Sequence, residues 1–155
     1  MKKLLFTTLM LLCFGIAHAE DVTEVSTFEE FIAAVTDSKQ SIKLTADMTL
    51  TADDKTLFQS WVEKQKIYFG DIDGDGHYID GLTCDMSSTE GTATAVALIP
   101  LINDGSIRNL TLKNVSMKGK SYVGAFVGKN IRPDECYTTV NAKVTVADCF
   151  SGHKK

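Results

Sequence analysis

The sequence predicts an all-β solenoid in which short strands stack along the chain, with one helix ahead of them. Three observations support this fold class. Apolar and polar residues alternate from Ile42 onward, the apolar spacing of Ile79, Leu82 and Cys84 recurs further along the chain, and asparagine stands where the alternation slips by one position. A chain of this kind has a narrow apolar column and not a wide globular core.

Residues 1–19 have the three-part pattern of a secretory signal peptide. Lys2 and Lys3 precede an apolar run from Leu4 to Ile16, and Ala17-His18-Ala19 supplies the small residues of a cleavage site after Ala19. The apolar run is shorter than the roughly 20 residues that a bilayer core requires, which disfavours a membrane anchor. We therefore expect a secreted or cell-surface protein, periplasmic or extracellular, with no transmembrane segment after cleavage.

Composition and charge exclude several classes of protein. With 44% hydrophobic residues, 23% charged residues and two prolines, the chain has the balance of a folded protein. Sixteen Lys and Arg against twenty Asp and Glu give a net charge of −4, which becomes −6 once the two lysines of the predicted signal are removed. A basic cluster is absent outside the two ends of the chain, so nucleic acid is not expected as a partner.

Three cysteines remain after the predicted cleavage: Cys84, Cys136 and Cys149. An odd number cannot pair fully, and their spacing matches no metal-binding pattern. All three stand where an apolar residue is expected. This favours buried thiols, and one disulfide bond is the alternative.

One short amphipathic helix is predicted within a leader and cap segment, residues 20–40. The run Ser26-Thr27-Phe28-Glu29-Glu30 contains two overlapping capping boxes, which mark a helix start. Helical spacing then relates four apolar residues: Phe28, Phe31, Ile32 and Val35. We expect a helix from about Thr27 to Thr36.

Residues 41–155 are assigned to the stacked repeats. Strict alternation from Ile42 to Leu50 predicts one buried and one exposed strand face, and beyond it steps of two are broken by steps of three. Asn109 and Asn114 stand at two of these slips, and asparagine tolerates the left-handed backbone that a corner demands. The recurring spacing aligns Ile79, Leu82 and Cys84 with Ile107, Leu110 and Leu112.

The register of the third repeat is open. One alignment places Cys136 on Leu110, whereas the other places Val144-Thr145-Val146 on Leu110-Thr111-Leu112. The second alignment is preferred because more positions agree.

Three segments resemble motifs of secreted bacterial right-handed β-helix proteins of the pectate-lyase-like superfold. The run from Phe69 to Leu82 resembles their F-x-G-x-[apolar]-D-G-[N/D]-G-H-x-I-x-G-L motif, and Gly105 to Leu112 resembles their G-x-I-x-N-L-T-L rung. Tyr122 to Gly128 resembles the GLUG motif of surface adhesins, with Ala125-Phe126 in place of the usual leucine. The resemblance implies a right-handed parallel β-helix of about three to four rungs with a cap helix. Because family members are usually longer, it also implies an N-terminal fragment of an adhesin-like protein.

A calcium site is one interpretation of the aspartates in the first of these segments. Asp71, Asp73 and Asp75, followed by Gly76, match the first half of an EF-hand loop, but Leu82 stands where the glutamate ligand is required. The structural interpretation is that the aspartates and glycines turn a corner of the solenoid. No other cofactor is expected.

The resemblance and the polar outward positions favour a non-catalytic binding or stalk module that contacts an extracellular glycan or a surface protein. The expected contact surface is a flat face of the β-helix that contains Arg108, Thr111, Lys113 and Ser116. The alignment of the first two repeats places Arg108 one rung from Asp80, as an ion pair between coils. Self-association through the open last rung is a further expectation.

A fragment of a polysaccharide lyase or glycoside hydrolase is the alternative function, because such enzymes also use β-helices. The chain has only two arginines, and His77 has no visible partner for a catalytic triad, so we expect no catalytic residue. Trp61 and Tyr68 allow two interpretations: an aromatic platform for a sugar, or part of an insertion that covers the first rung.

Overall fold

The computed structural model describes residues 22–88 and 95–131, together with the backbone of residues 139–151. Within these ranges the elements follow one another as β1 (Val22–Val25), α1 (Phe28–Thr36), β2 (Ser41–Leu44), β3 (Met48–Thr49), α2 (Ala52–Glu63), β4 (Ile67–Tyr68), β5 (Ile72–Asp73), β6 (Tyr78–Asp80), β7 (Thr83–Asp85), β8 (Ile99–Ile102), β9 (Ser106–Gly119), β10 (Val127–Asn130) and β11 (Thr139–Ser151). The predicted signal peptide, Cys136 and the side chain of Cys149 lie outside the described part.

Helix α1 confirms the predicted helix. Thr27 is its N-cap, and the Thr27 hydroxyl accepts a hydrogen bond from the Glu30 backbone N–H while the Glu30 carboxylate accepts one from the Thr27 N–H. This reciprocal pair satisfies two backbone donors that the first turn would leave unpaired. The buried face of the helix consists of Phe28, Phe31, Ile32, Ala34 and Val35.

All pairings between the described strands are parallel. In the larger sheet β1, β2, β5, β9 and β11 pair in series. Two further strands of this sheet, β6 and β7, also pair with β9, and β3 pairs with β6. The second sheet has the order β10-β8-β4. Ile42 pairs with Ile72, Ile72 with Ile107 and Ile107 with Val140. The chain therefore returns to the same sheet at each of these pairings. We call each return a coil; the expectation of stacked, parallel, mostly β structure is confirmed.

The predicted register between the first two repeats is wrong for these strands. Ile79 pairs with Leu112 and not with Ile107, Cys84 pairs with Met117, and the Ser116 N–H donates to the Leu82 carbonyl oxygen. Leu82 therefore lies beside Val115 and not beside Leu110. The reason is that the three-then-two apolar spacing occurs twice within β9, and the second copy is the partner.

The register of β11 also differs from both alignments. Val144 pairs with Leu112 and not with Leu110, and Val146 pairs with Val115 and not with Leu112. Irregularities in the pairing on both sides of Val146 change the difference in residue number between paired residues along the strand. A single shift in residue number cannot describe the pairing of β11 with β9. An alignment with a constant shift therefore gives the wrong register.

Asn109 and Asn114 confirm the predicted corners. Their φ angles are +52° and +47°, in the left-handed region that asparagine tolerates. Each inserts one residue into the alternation of β9, and the preceding coil is divided at the corresponding places into β5, β6 and β7. As a result all five apolar residues of β9 point to the core: Ile107, Leu110, Leu112, Val115 and Met117.

Helix α2 was not predicted, although its start has a local signal. Thr51 and Asp54 form a second capping box, and the buried side of the helix carries Phe58, Trp61 and Val62. The Trp61 indole N–H donates to the Leu98 carbonyl oxygen at 2.9 Å, and both Trp61 and Tyr68 are fully buried. The aromatic-platform interpretation is therefore wrong, and the interpretation as an inserted covering segment agrees with the structure.

Candidate functional site

The three aspartates of the predicted calcium loop have separate protein partners. Asp71 accepts hydrogen bonds from the backbone N–H and hydroxyl of Ser106, at 2.7 and 2.6 Å. Asp73 accepts from Arg108 Nε at 2.9 Å, and Asp75 contacts Lys43 Nζ at 3.0 Å. These contacts join each carboxylate to a neighbouring coil.

A metal centre is not evident where the structure describes side chains. In those ranges, no group of three or more His, Cys, Asp or Glu residues is placed to hold an ion. The geometry favours the interpretation in which the aspartates turn a corner, and calcium binding by Asp71, Asp73 and Asp75 stays a prediction.

Asp73 is the most heavily bonded of these carboxylates. Burial by itself would raise its pKa, but hydrogen bonds from the Asp75 backbone N–H and from the Arg108 and Asn109 side chains outweigh burial and hold the pKa below the ordinary value of 3.8. The hydrogen bond to Asp73 in turn raises the pKa of Arg108. The charged form of the pair is thus favoured on both sides.

Charges alternate along one row of neighbouring side chains on the outer surface. Glu24, Lys43, Asp73 and Arg108 are direct partners across β1, β2, β5 and β9. The contact with Asp75 is the main cause that raises the pKa of Lys43, and the charges of Glu24 and Asp73 raise it further. Much of the charge on this face is therefore satisfied between coils.

The predicted contact face is divided in the structure. Arg108 precedes the corner at Asn109, Thr111 and Lys113 lie between the two corners, and Ser116 follows Asn114. A left-handed residue in a strand bends it, so the four side chains occupy three successive segments and do not form one flat face. Lys113 Nζ lies 3.3 Å from the centre of the Tyr78 ring, a cation–π contact between coils.

The predicted ion pair between Arg108 and Asp80 is wrong. Arg108 bonds Asp73, and Asp80 accepts a hydrogen bond from Asn114 Nδ2 at 2.7 Å. The error follows from the register, since Asp80 pairs with Lys113 in the sheet.

His77 packs at a corner between two coils. Its Nδ1 lies 3.1 Å from Asp47 Oδ1, which also accepts a hydrogen bond from the Tyr78 backbone N–H. The ring is thus part of the contact between two coils. Its partner is a carboxylate and not a hydroxyl or thiol nucleophile.

The glycines of the GLUG-like segment have a packing role. A Cβ at Gly124 would collide with the Val127 carbonyl oxygen, and one at Gly128 would collide with the Pro100 carbonyl oxygen. The Gly124 N–H donates to the Val96 carbonyl oxygen, which joins this segment to the preceding coil. The assignment to the GLUG motif itself stays a prediction.

An open groove lies beside Phe69. It has a volume of about 380 Å³ and is lined by Asp37, Lys39, Gln40, Ser41, Phe69, Gly70 and Asp71. We call it the Phe69 groove. The sequence does not reveal this groove, because its two sides belong to different coils and meet only when the coils stack. A second groove of about 320 Å³ lies near the start of both helices.

Comparison with known proteins identifies the family. The model of the family described as "Putative pectate lyase-like adhesive domain" matches residues 22–148. The chain belongs to this family. The pectate lyase-like adhesive domain thus includes both helices and nearly all the described strands. Its description names adhesion and not catalysis.

One curated relative of this adhesive domain is halomucin from Haloquadratum walsbyi. The two sequences are 44% identical over 64 residues, which is 41% of this chain and 1% of halomucin. The chain thus corresponds to a very small part of that protein. No solved structure gives a significant match. Among the described residues, no helix combines the length and the apolar character needed to cross a membrane.

Proposed function

We propose that the chain is a secreted or surface-exposed adhesive module without catalytic activity, built as a right-handed β-helix, that contacts an extracellular glycan or a surface protein. The match of residues 22–148 to an adhesive-domain family carries this proposal. The similarity to halomucin, whose name describes a mucin, supports an extracellular setting.

The contact mechanism that we propose is many weak hydrogen bonds from outward side chains of β9. Arg108, Thr111, Lys113 and Ser116 are the candidate contacts, distributed over three segments of one strand. Because Arg108 is held by Asp73, it offers its remaining guanidinium donors in a fixed orientation. A stack of short coils offers such donors at regular intervals along its surface.

The alternative is a fragment of a polysaccharide lyase or glycoside hydrolase. It has weaker support, because the carboxylates that would hold a catalytic calcium ion are engaged with Ser106, Arg108 and Lys43. The fold alone does not decide between binding and catalysis.

A glycan array and a surface-protein binding screen, combined with an assay for reducing ends and unsaturated products, test the proposal. We expect the purified protein to bind at least one immobilised glycan or surface protein and to release no product. The double variant Thr111→Ala/Lys113→Ala should bind more weakly, whereas Lys64→Ala, at the exposed C-cap residue of α2, should bind as the native chain does. Turnover of any polysaccharide would contradict the proposal.

Two further parts of the proposal concern processing and assembly. N-terminal sequencing of the exported protein should begin at Glu20 if the signal is cleaved after Ala19. The last two described strands along the chain, β10 and β11, each pair on one side only, and we propose self-association through this edge. Sedimentation over a range of protein concentrations measures it, and a constant monomer mass would contradict it.

A further inference from the structure

Phe69 presents an aromatic ring at the surface of the Phe69 groove. Its side chain is 40% exposed, whereas Phe28, Phe31 and Phe58 are at most 4% exposed. Phe69, Gly70 and Asp71 form one side of the groove, and the turn from Asp37 to Ser41 forms the other. The ring thus lies in a concave site and not on an isolated convex surface.

The position of Phe69 does not require an apolar residue for folding. A Cβ at Gly70 would collide with Gln40 in the preceding coil, and a Cβ at Gly105 would collide with Gly70. The residues before Gln40 and Gly105 are Lys39 and Asp104, both charged and exposed. Since the neighbouring coils place charges at this position, the exposed ring of Phe69 adds nothing that the stack needs.

Hydrogen bonds hold the two sides of the groove in place. The Phe69 backbone N–H donates to the Ser38 carbonyl oxygen at 2.7 Å, and the buried Tyr68 hydroxyl donates to the Gln40 carbonyl oxygen at 2.6 Å. Asp71 is fixed by its two hydrogen bonds from Ser106. The groove therefore exists before a ligand arrives, which lowers the entropy lost on binding.

The geometry points to the Phe69 groove as a subsite for one pyranose unit of an uncharged glycan; this inference rests on the proposed adhesive function and specifies its ligand class. The C–H face of the sugar packs on the Phe69 ring. Asp37 and Asp71 accept hydrogen bonds from sugar hydroxyls, while Lys39 and Ser41 donate. The volume of about 380 Å³ lies within the usual range for ligand pockets.

The charges around the groove favour an uncharged sugar over a uronic acid. Two of its lining residues are carboxylates, Asp37 and Asp71, and one is a cation, Lys39. A carboxylated sugar would face repulsion from both sides, with one lysine to offset it. Polygalacturonate is therefore the anionic comparison in the test.

The test uses the native protein and three variants on immobilised uncharged hexose oligosaccharides. The oligosaccharide that binds most strongly is then titrated calorimetrically. We expect Phe69→Ala to raise its Kd about tenfold or more and Phe69→Tyr to leave it within about threefold, because the second change keeps the ring. Tyr122→Ala is the matched control: Tyr122 is the most exposed aromatic residue among the described side chains, at 46%, lines no part of the groove, and should have no effect.

Each other outcome separates this inference from the proposed function. Glycan binding that Phe69→Ala leaves within about twofold overturns the subsite and leaves the adhesive function standing. Binding to polygalacturonate alone, or to a protein alone, does the same. Absence of binding to glycans and surface proteins overturns both. If Phe69→Ala does not fold, Asp37→Ala on the opposite side replaces it, with an expected loss of about threefold or more.

Discussion

The guanidinium of Arg108 donates from Nε to Oδ2 of Asp73 at 2.9 Å, directly across strands β9 and β5. The same carboxylate accepts from the side chain of Asn109, at one corner of β9, and from the backbone N–H of Asp75. One aspartate thus joins two coils and the corners of both. An exposed carboxylate without these donors would be worth much less to the stack.

Replacing Asp73 by asparagine should destabilise the protein by about 1–2 kcal/mol at neutral pH, because three donors lose a charged acceptor. The folded-state pKa of Asp73 is lowered, so its contribution is present above about pH 4 and is lost as the pH falls through that lowered value. Urea unfolding of Asp73→Asn and the native chain at pH 7 and at about pH 3 measures this. The difference should narrow at low pH. Asp104→Asn, an exposed carboxylate, is the control, and an equal loss in both variants would contradict the prediction.

The corner at Asn114 should tolerate glycine but not valine. Its φ of +47° is unfavourable for a β-branched residue, so we expect Asn114→Val to cost about 2–3 kcal/mol in the free energy of unfolding. Asn114→Gly keeps the backbone and loses only the hydrogen bond to Asp80, at a cost of about 1 kcal/mol. Equal costs for the two variants, measured by urea unfolding, would show that this residue does not need a left-handed backbone.

Trp61 should anchor helix α2 through its indole N–H. Trp61→Phe leaves the Leu98 carbonyl oxygen without this donor and should cost about 1–3 kcal/mol, and Trp61→Ala should cost about 3–5 kcal/mol. Thermal unfolding followed by circular dichroism measures both. Since Trp61 is the only tryptophan, its emission should also shift to the red on unfolding of the native chain. Tyr122→Ala, at an exposed ring, should cost under about 1 kcal/mol; a similar cost for Trp61→Phe would contradict the anchoring role.

Cys84 should react slowly with thiol reagents in the folded protein. Burial is the main cause that raises the pKa of its thiol to about 11, and the nearby charges of Glu63 and Asp85 add to this effect. Cys84 is 2% exposed. Little thiolate is therefore present at pH 8. Mass spectrometry after brief alkylation should find the Cys84 peptide unmodified in buffer and modified in urea. Rapid alkylation in buffer would show that this thiol is accessible.

The parts of the fold that could be predicted depend on local chemistry. Helix α1 follows from a capping box and four apolar residues between Thr27 and Val35, and both elements of that pattern are continuous in the chain. The corners at Asn109 and Asn114 were predictable because a one-position slip in a period of two leaves few residue types suited to the left-handed backbone. Helix α2 has a weaker apolar face, so its capping box was the main local signal.

The register could not be obtained from the same patterns. Within β9 the spacing of Ile107, Leu110 and Leu112 is identical to that of Leu112, Val115 and Met117, so Ile79 had two equally good partners. Which partner Ile79 takes depends on the number of residues that connect one strand of this sheet to the next through the rest of the coil. That length is set by packing between sheets and not by the strand's own residues.

The sequence by itself determined the class of fold, the first helix and the corners, because alternation, capping and left-handed asparagine act over short stretches of chain. Only the tertiary structure decided the partners: Arg108 with Asp73 and not with Asp80, Lys43 with Asp75, and an exposed Phe69 facing a turn of the preceding coil. Contacts between stacked coils depend on loop lengths and on the fit of whole coils. The periodicity of apolar residues within one segment contains no information about either.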